Sequence, residues 1–212
     1  HPVRQEPRPM SSIPSPDLSD RTPVHRHHVD GFGEVRLVPV DPDADLDLLY
    51  AWVTEERAKF WGMNGHTREE VHETYTFLDG LTTHHAFLAV LGGRPAALFQ
   101  TYEPEADPLG ECYDVQPGDH GVHLLIGPAH GGQPVANFSS GLIIALIDYV
   151  LTDPGRRRIV VEPDARNERA IERLRRVGFV LGPEIDKPEK RARLAFLERA
   201  EAEAAVKAVS HR

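Results

Sequence analysis

This chain has little cysteine, little positive charge and no long apolar run, and each shortage excludes something. One of its 212 residues is cysteine, Cys112, so no internal disulfide forms and no cysteine-based metal centre can be built. Cys112 sits in Gly110-Glu111-Cys112-Tyr113-Asp114 without a basic neighbour to activate it, and is given no role. Lys and Arg number 24 against 33 Asp and Glu, and the formal charge of −9 argues against a nucleic-acid partner. That acidity suits a cationic amine substrate, although an ordinary solvated surface explains it equally. No stretch approaches the roughly 18 apolar residues of a membrane span, and no charged-apolar-small signal peptide is present. The expected setting is therefore cytoplasmic, with small-molecule partners, no membrane, and a homodimer left open.

What is present points to one substantial domain with its own core. Residues 1–30 carry six prolines and almost no large apolar side chains, which predicts a flexible Pro/His-rich arm. Met10 offers a native start, which would leave residues 1–9 outside the native protein. Histidines in the arm (His1, His25, His27, His28) invite a metal reading. Disordered tail is the stronger one, because ligands need fixed geometry, and no metal is expected. The main folded domain is expected over 31–197, with a helix or tail over 198–212.

Alternation over Glu34-Val35-Arg36-Leu37-Val38-Pro39-Val40 predicts a strand. Asp41-Pro42-Asp43 then opens a helix bearing Leu46, Leu49, Tyr50 and Val53, and Thr67-Arg68-Glu69-Glu70 reads as a capping box for a second. Residues 86–91 and 95–100 form a hairpin around Gly92-Gly93. The run 139–151 leaves almost no polar face and predicts a buried helix. Arg158-Ile159-Val160-Val161 is an internal strand, and Asn167 caps a helix that Gly178 stops. Strands at 179–181 and 191–197 and a terminal helix complete the order β-α-α-β-β-β-α-β-α-β-β(α). This is an α/β single domain with a mixed, mostly antiparallel central sheet flanked by helices.

Two segments carry the chemistry. Val122-His123-Leu124-Leu125-Ile126-Gly127-Pro128 places one imidazole in a strand that ends in a turn. Val160-Val161-Glu162-Pro163-Asp164-Ala165-Arg166-Asn167-Glu168-Arg169-Ala170-Ile171 delivers one carboxylate, Asp164, at the end of a strand before a helix. Together with Gly178-Phe179 and Gly182-Pro183-Glu184-Ile185, they resemble the Gcn5-related N-acetyltransferase superfamily. The likeness is to its siderophore-biosynthesis branch, which acylates hydroxylysine, hydroxycadaverine or the lysine of mycobactin. It covers 34–197 by pattern and 120–197 closely. The resemblance implies the acetyltransferase fold, acyl-CoA (acetyl-CoA or succinyl-CoA) as co-substrate, and an amine or hydroxylamine acceptor. It implies His123 and Asp164 as catalytic residues, with Leu125, Ser139, Ser140, Gly141 and Asn167 toward the cofactor. Trp61 and Asn64 would lie toward the acceptor. The loop from His130 to Gly141 departs from the family's short glycine-rich turn: it is longer and holds Pro134, which has no amide donor.

In that reading His123 removes the acceptor proton while strand amides hold the thioester oxygen. A hydroxylated nitrogen is weakly basic and already neutral near pH 7, so an ordinary histidine suffices. Each residue also has a plainer reading. His123 fits a core histidine on a backbone carbonyl, Asp164 a turn-capping carboxylate, and Asn167 a helix cap. Trp52, Phe60, Trp61 and Tyr75 fit core packing as well as a pocket wall, and Arg166, Arg169 and Arg173 fit a solvated helix face as well as a phosphate site. Glu103, Glu105 and Asp107 are expected to be solvated. The function classes carried forward are siderophore acyltransferase, aminoglycoside or polyamine acetyltransferase, and a degenerate domain that binds without chemistry.

Overall fold

The computed structural model describes residues 13–128 and 138–210. Eight strands form one sheet: β1 (His25–Val29), β2 (Gly33–Pro39), β3 (His84–Leu91), β4 (Arg94–Tyr102), β5 (Asp119–Ile126), β6 (Arg158–Val161), β7 (Val180–Asp186) and β8 (Arg191–Glu198). Their spatial order is β1-β2-β3-β4-β5-β6-β8-β7. Every pairing is antiparallel except β5 with β6. Five helices cover the sheet: α1 (Leu46–Val53), α2 (Arg68–Asp79), α3 (Phe138–Leu151), α4 (Glu168–Val177) and α5 (Arg199–Ser210). The mixed, mostly antiparallel architecture matches the expectation.

Period-two alternation divides the core into two layers. Val35, Leu37, Phe87, Phe99 and Val122 face α3 and α5, while Val38, Leu88, Leu98 and Leu125 face α1 and α2. Helix α3 buries Leu142 through Ile147 on nearly all sides, as its missing polar face requires. The β3–β4 turn places Gly92 and Gly93 at φ 59° and 79°, which suits a two-residue hairpin turn and strains side-chain-bearing residues. Both halves of the Thr67–Glu70 capping box are made: Thr67 Oγ1 accepts from the Glu70 amide and Glu70 Oε1 accepts from the Thr67 amide. Asn167 caps α4 through the Ala170 amide. The inner residues of that helix (Ala170, Ile171, Leu174, Val177) are only half-buried.

The arm differs from expectation over its described part. His25–Val29 pairs with β2 and becomes the edge strand. Residues 13–24 strap across the domain: Leu18 is buried, its amide donates to the Gly93 carbonyl, and Arg21 forms a two-pronged ion pair with the buried Asp45. Low average hydropathy hid one well-placed leucine, one arginine and a His-x-His alternation. At the other end α5 packs Val206 and Val209 against the core, and the Val209 carbonyl accepts from the Asp30 amide. The folded unit is thus wider than 31–197.

Candidate active site

The site is a fork in the sheet. Strands β5 and β6 pair only through Asp119↔Arg158, His120↔Ile159 and Gly121↔Val160, yet β5 runs on to Ile126. Beyond Gly121 the two strands part, and Pro163, which has no amide, follows just after β6. On its other edge β5 stays bonded to β4, and the Gly127 amide still donates to the Ala96 carbonyl. In an antiparallel ladder, alternate residues bond to the same neighbour. Residues 121, 123, 125 and 127 therefore turn their backbone groups to β4, and Val122, Leu124 and Ile126 turn theirs into the fork. The Ile126 carbonyl is taken by Arg57 Nη1 at 2.5 Å.

Two positions past the last paired residues, on one face, stand His123 and Glu162. The parallel register carried forward sets them opposite each other, and His123 Nε2 bonds Glu162 Oε1. Glu162 is 1% exposed and gathers its surroundings. The Tyr102 hydroxyl donates to Oε1 at 3.3 Å, Lys187 Nζ lies 3.3 Å from Oε1, and Lys190 Nζ lies 2.9 Å from Oε2. Burial pushes the Glu162 carboxyl upward, but His123, Lys190 and Lys187 more than offset it and hold the group well below the usual carboxylate range. It is ionised. Burial and the neighbouring Glu162 charge push the Tyr102 phenol far upward, so Tyr102 remains a neutral donor. Its ring lies across Gly121, where an added Cβ would come within 2.3–2.7 Å of it; glycine makes the stacking possible. The ring also lies 5.0 Å from His123 and stacks on His84 at 5.7 Å.

Trp61 meets His123 edge-on at 6.0 Å. It ends a 3-10 turn, Glu56–Trp61, and Gly62 at φ 88° reverses the chain after it. Tyr75 and Trp52 are core residues, 2% and 0% exposed.

Other expected residues are placed differently. Asp164 does not reach His123 in any hydrogen bond or ion pair of the described residues; it accepts from the Arg166 amide, Nε and Nη2. That bonding to Arg166, against a smaller desolvation, holds its carboxyl below the ordinary value. Arg166 in turn lies 5.5 Å from the Phe60 ring. The plainer reading of a turn-organising carboxylate describes Asp164, and the carboxylate partner of His123 is Glu162. Leu125 is buried in the α1–α2 layer with its backbone toward β4, so Leu124 and Ile126 are the residues open to the fork. Asn64 spends its amide on the Val53 and Glu55 carbonyls, bracing the loop after α1. Asn167 is the cap of α4. Ser139 and Ser140 occupy the first turn of α3, whose amides lack intrahelical acceptors. Gly141 lies under the Phe32 ring, where a Cβ would approach within 2.8–2.9 Å, and so serves packing. The loop 129–137 lies outside the described residues. Asp107 is no solvated carboxylate: it accepts from the Leu109 amide and bonds His84 at 3.1 Å.

Lys187, Lys190, Tyr102 and Glu162 escaped the sequence reading. One signal was available, because a glutamate continuing an internal apolar strand is buried and must be paired.

This forked sheet, with a histidine and a buried carboxylate at its opening, accompanies a clear family assignment. Residues 41–187 match the family described as acetyltransferase (GNAT) domain, and the chain belongs to it. It is 30% identical over 165 residues, 75% of its length, to the N(6)-hydroxylysine O-acetyltransferase of Escherichia coli, and spans 50% of that protein. It is 27% identical over 142 residues, 64% of its length, to aminoglycoside N(6')-acetyltransferase type 1 of Klebsiella pneumoniae, and spans 69% of that protein. Among solved structures, aminoglycoside acetyltransferase AAC(6')-Ib in complex with coenzyme A superposes with a TM-score of 0.69 and 25% identity, covering 80% of this chain and 98% of that one. An uncharacterized protein from Bacillus halodurans has the same fold, with a TM-score of 0.80 at 23% identity over 90% of this chain and 98% of its own. Among the described residues no helix is long and apolar enough to cross a membrane.

Proposed function

We propose that this chain transfers the acyl group of an acyl-coenzyme A to the hydroxylated nitrogen of a hydroxylysine- or hydroxycadaverine-type acceptor, making a hydroxamate of the kind used in siderophores. The observation that carries this reading is His123, 28% exposed at the side chain, held at the fork by a carboxylate that is wholly buried. Glu162 fixes the Nε2 proton of the imidazole and leaves Nδ1 as the lone-pair nitrogen. That nitrogen takes the proton from the acceptor as its nitrogen attacks the thioester carbonyl; the C–S bond then breaks, and the departing coenzyme A thiolate takes a proton back from the imidazolium. Glu162 also balances the imidazolium as it forms, without moving. A neutral, weakly basic hydroxylamine nitrogen asks no more of the base than this.

Thioester chemistry would be supplied by the acyl-CoA, and the fork fits such a group in kind. The amides of Leu124 and Ile126 point into it, as an acyl oxygen and a chain of pantetheine amides require. Ser139 and Ser140, at the start of α3, offer amides and hydroxyls to phosphate oxygens. Trp61 forms an aromatic wall beside His123 on the acceptor side. Support for the acceptor class comes from the resemblance to the Escherichia coli hydroxylysine enzyme. The likeness to aminoglycoside acetyltransferases favours a second reading, in which a basic amine is acetylated.

Coenzyme A release separates the two. Acetyl-CoA and succinyl-CoA would each be offered with N6-hydroxylysine, N-hydroxycadaverine, lysine and kanamycin. Turnover confined to hydroxylated amines is expected; turnover on kanamycin alone would establish the second reading. No turnover, with no thermal shift from coenzyme A, would leave a binding domain without chemistry.

A further inference from the structure

A second cluster of titratable side chains lies at the far edge of the sheet, four strands from β5, or about 19 Å at roughly 4.8 Å per strand. His25 and His27 are two apart on β1, so they project from the same face. That face meets α3, and Asp148 of α3 lies between them. His25 Nε2 is 2.7 Å and His27 Nδ1 is 3.0 Å from the same oxygen, Oδ2 of Asp148. The imidazole planes are within 7° of parallel, with centroids 6.5 Å apart. One nitrogen from each ring and one carboxylate oxygen all lie within 4.8 Å of one another, the one such grouping among the described residues.

We infer that His25, His27 and Asp148 form a binding site for a borderline transition-metal dication, zinc in the first instance. The ligand set decides the class: two imidazoles and a carboxylate suit zinc, cobalt or nickel, whereas magnesium and calcium prefer oxygen ligands throughout. The distances fit as well. Tetrahedral zinc with bonds of about 2.0–2.1 Å separates its ligand atoms by about 3.3 Å. The spacings of 2.7 and 3.0 Å to Oδ2 need open by only a few tenths of an ångström to admit the ion, and the two ring nitrogens, within 4.8 Å of each other, draw in to share it. Two of the ligands are held by the β1–β2 ladder and one by a buried helix, so little ordering entropy remains to be lost. The side chains are 14%, 13% and 26% exposed, enough for water to complete the coordination. Distance from the fork makes the site a staple between β1 and α3, with no part in proton transfer.

The test uses the full chain, stripped with a chelator and dialysed, then titrated calorimetrically with ZnCl2 at pH 7.5. One equivalent binding with a micromolar or lower Kd, and a rise in melting temperature, are expected. His27→Gln and Asp148→Asn should each weaken binding at least tenfold, and His28→Ala, at an exposed neighbour, should not. Cobalt loading of the unaltered chain supplies a readout that survives a misfolded variant, because a four- or five-coordinate N/O site gives visible absorption that zinc bleaches. Absent saturable binding, a silent cobalt spectrum, or affinity unchanged in both ligand variants would overturn the site and assign any zinc to the other histidines.

Discussion

His120→Leu isolates one buried titration that would otherwise be mistaken for catalysis. His120 is 6% exposed on β5, and its Nδ1 has no hydrogen-bond partner. Burial, aided by Arg156 and His85, pushes its pKa from 6.5 down to about 4. The folded protein therefore keeps this imidazole neutral between pH 4 and 6.5, while the unfolded chain takes up a proton. Stability is complete above the unfolded value and falls as pH drops through this window. At 1.36 kcal/mol per pH unit the ceiling is about 3 kcal/mol. By the same linkage the loss at pH 5 is about 2 kcal/mol, and at pH 7 it is about 0.2 kcal/mol. In a chain of this length 2 kcal/mol lowers Tm by roughly 4–8 °C. Urea unfolding at pH 7 and pH 5 measures it. The unaltered protein should lose about 2 kcal/mol more than the leucine variant between the two pH values, and the variant at pH 7 should be close to neutral, since it removes an orphaned polar atom. Equal losses in both proteins would refute the reasoning, because His120 would then be titrating with an ordinary pKa. The outcome matters for the site: a fall in turnover at low pH contains this loss of folded protein unless the variant separates it from the chemistry.

His123→Ala should cut turnover by roughly 10²–10⁴ while its circular dichroism and urea midpoint stay close to the parent; a loss of fold without that separation would return His123 to the core. Glu162→Gln should lower kcat and destabilise by about 3–5 kcal/mol, because Lys187 and Lys190 lose their shared buried counter-charge. Adding Lys187→Met should restore part of that stability but not kcat, which chemical denaturation and steady-state kinetics resolve. Gly121→Ala should cost about 1–3 kcal/mol by forcing the Tyr102 ring off the strand; a neutral effect in a melting experiment would show that Tyr102 moves freely.

The elements with a local signature were legible: the capping box at Thr67, the Gly92-Gly93 turn, the apolar run of α3 and the Asn167 cap all stand where their residue types require. His123 was legible as an imidazole in a strand beside a turn. Its partner was not, because pairing β5 to β6 depends on a register between segments 39 residues apart. Without that register Glu162 and Asp164 are two carboxylates with the same side-chain parity, and the motif pointed to Asp164, whereas the one bonded to His123 is Glu162. The face that Leu125 shows could be known only once the bonding parity with β4 was fixed. Strand β1 was obscured because six prolines across 30 residues outweigh five alternating residues in any average.

The strap and the strand order together set where this protein can be cut. The family match runs from 41 to 187, but a fragment with those ends would lack β1, β2, β8 and α5. Strand β8 lies between β6 and β7, so its loss would detach β7 and unpair the edge of β6 beside Glu162. Starting even at residue 25 would remove Arg21 and strand the buried Asp45 carboxylate without its counter-ion. Expression fragments and fusion junctions should therefore keep residues 13–210, and a fragment trimmed to 41–187 should be insoluble rather than merely inactive.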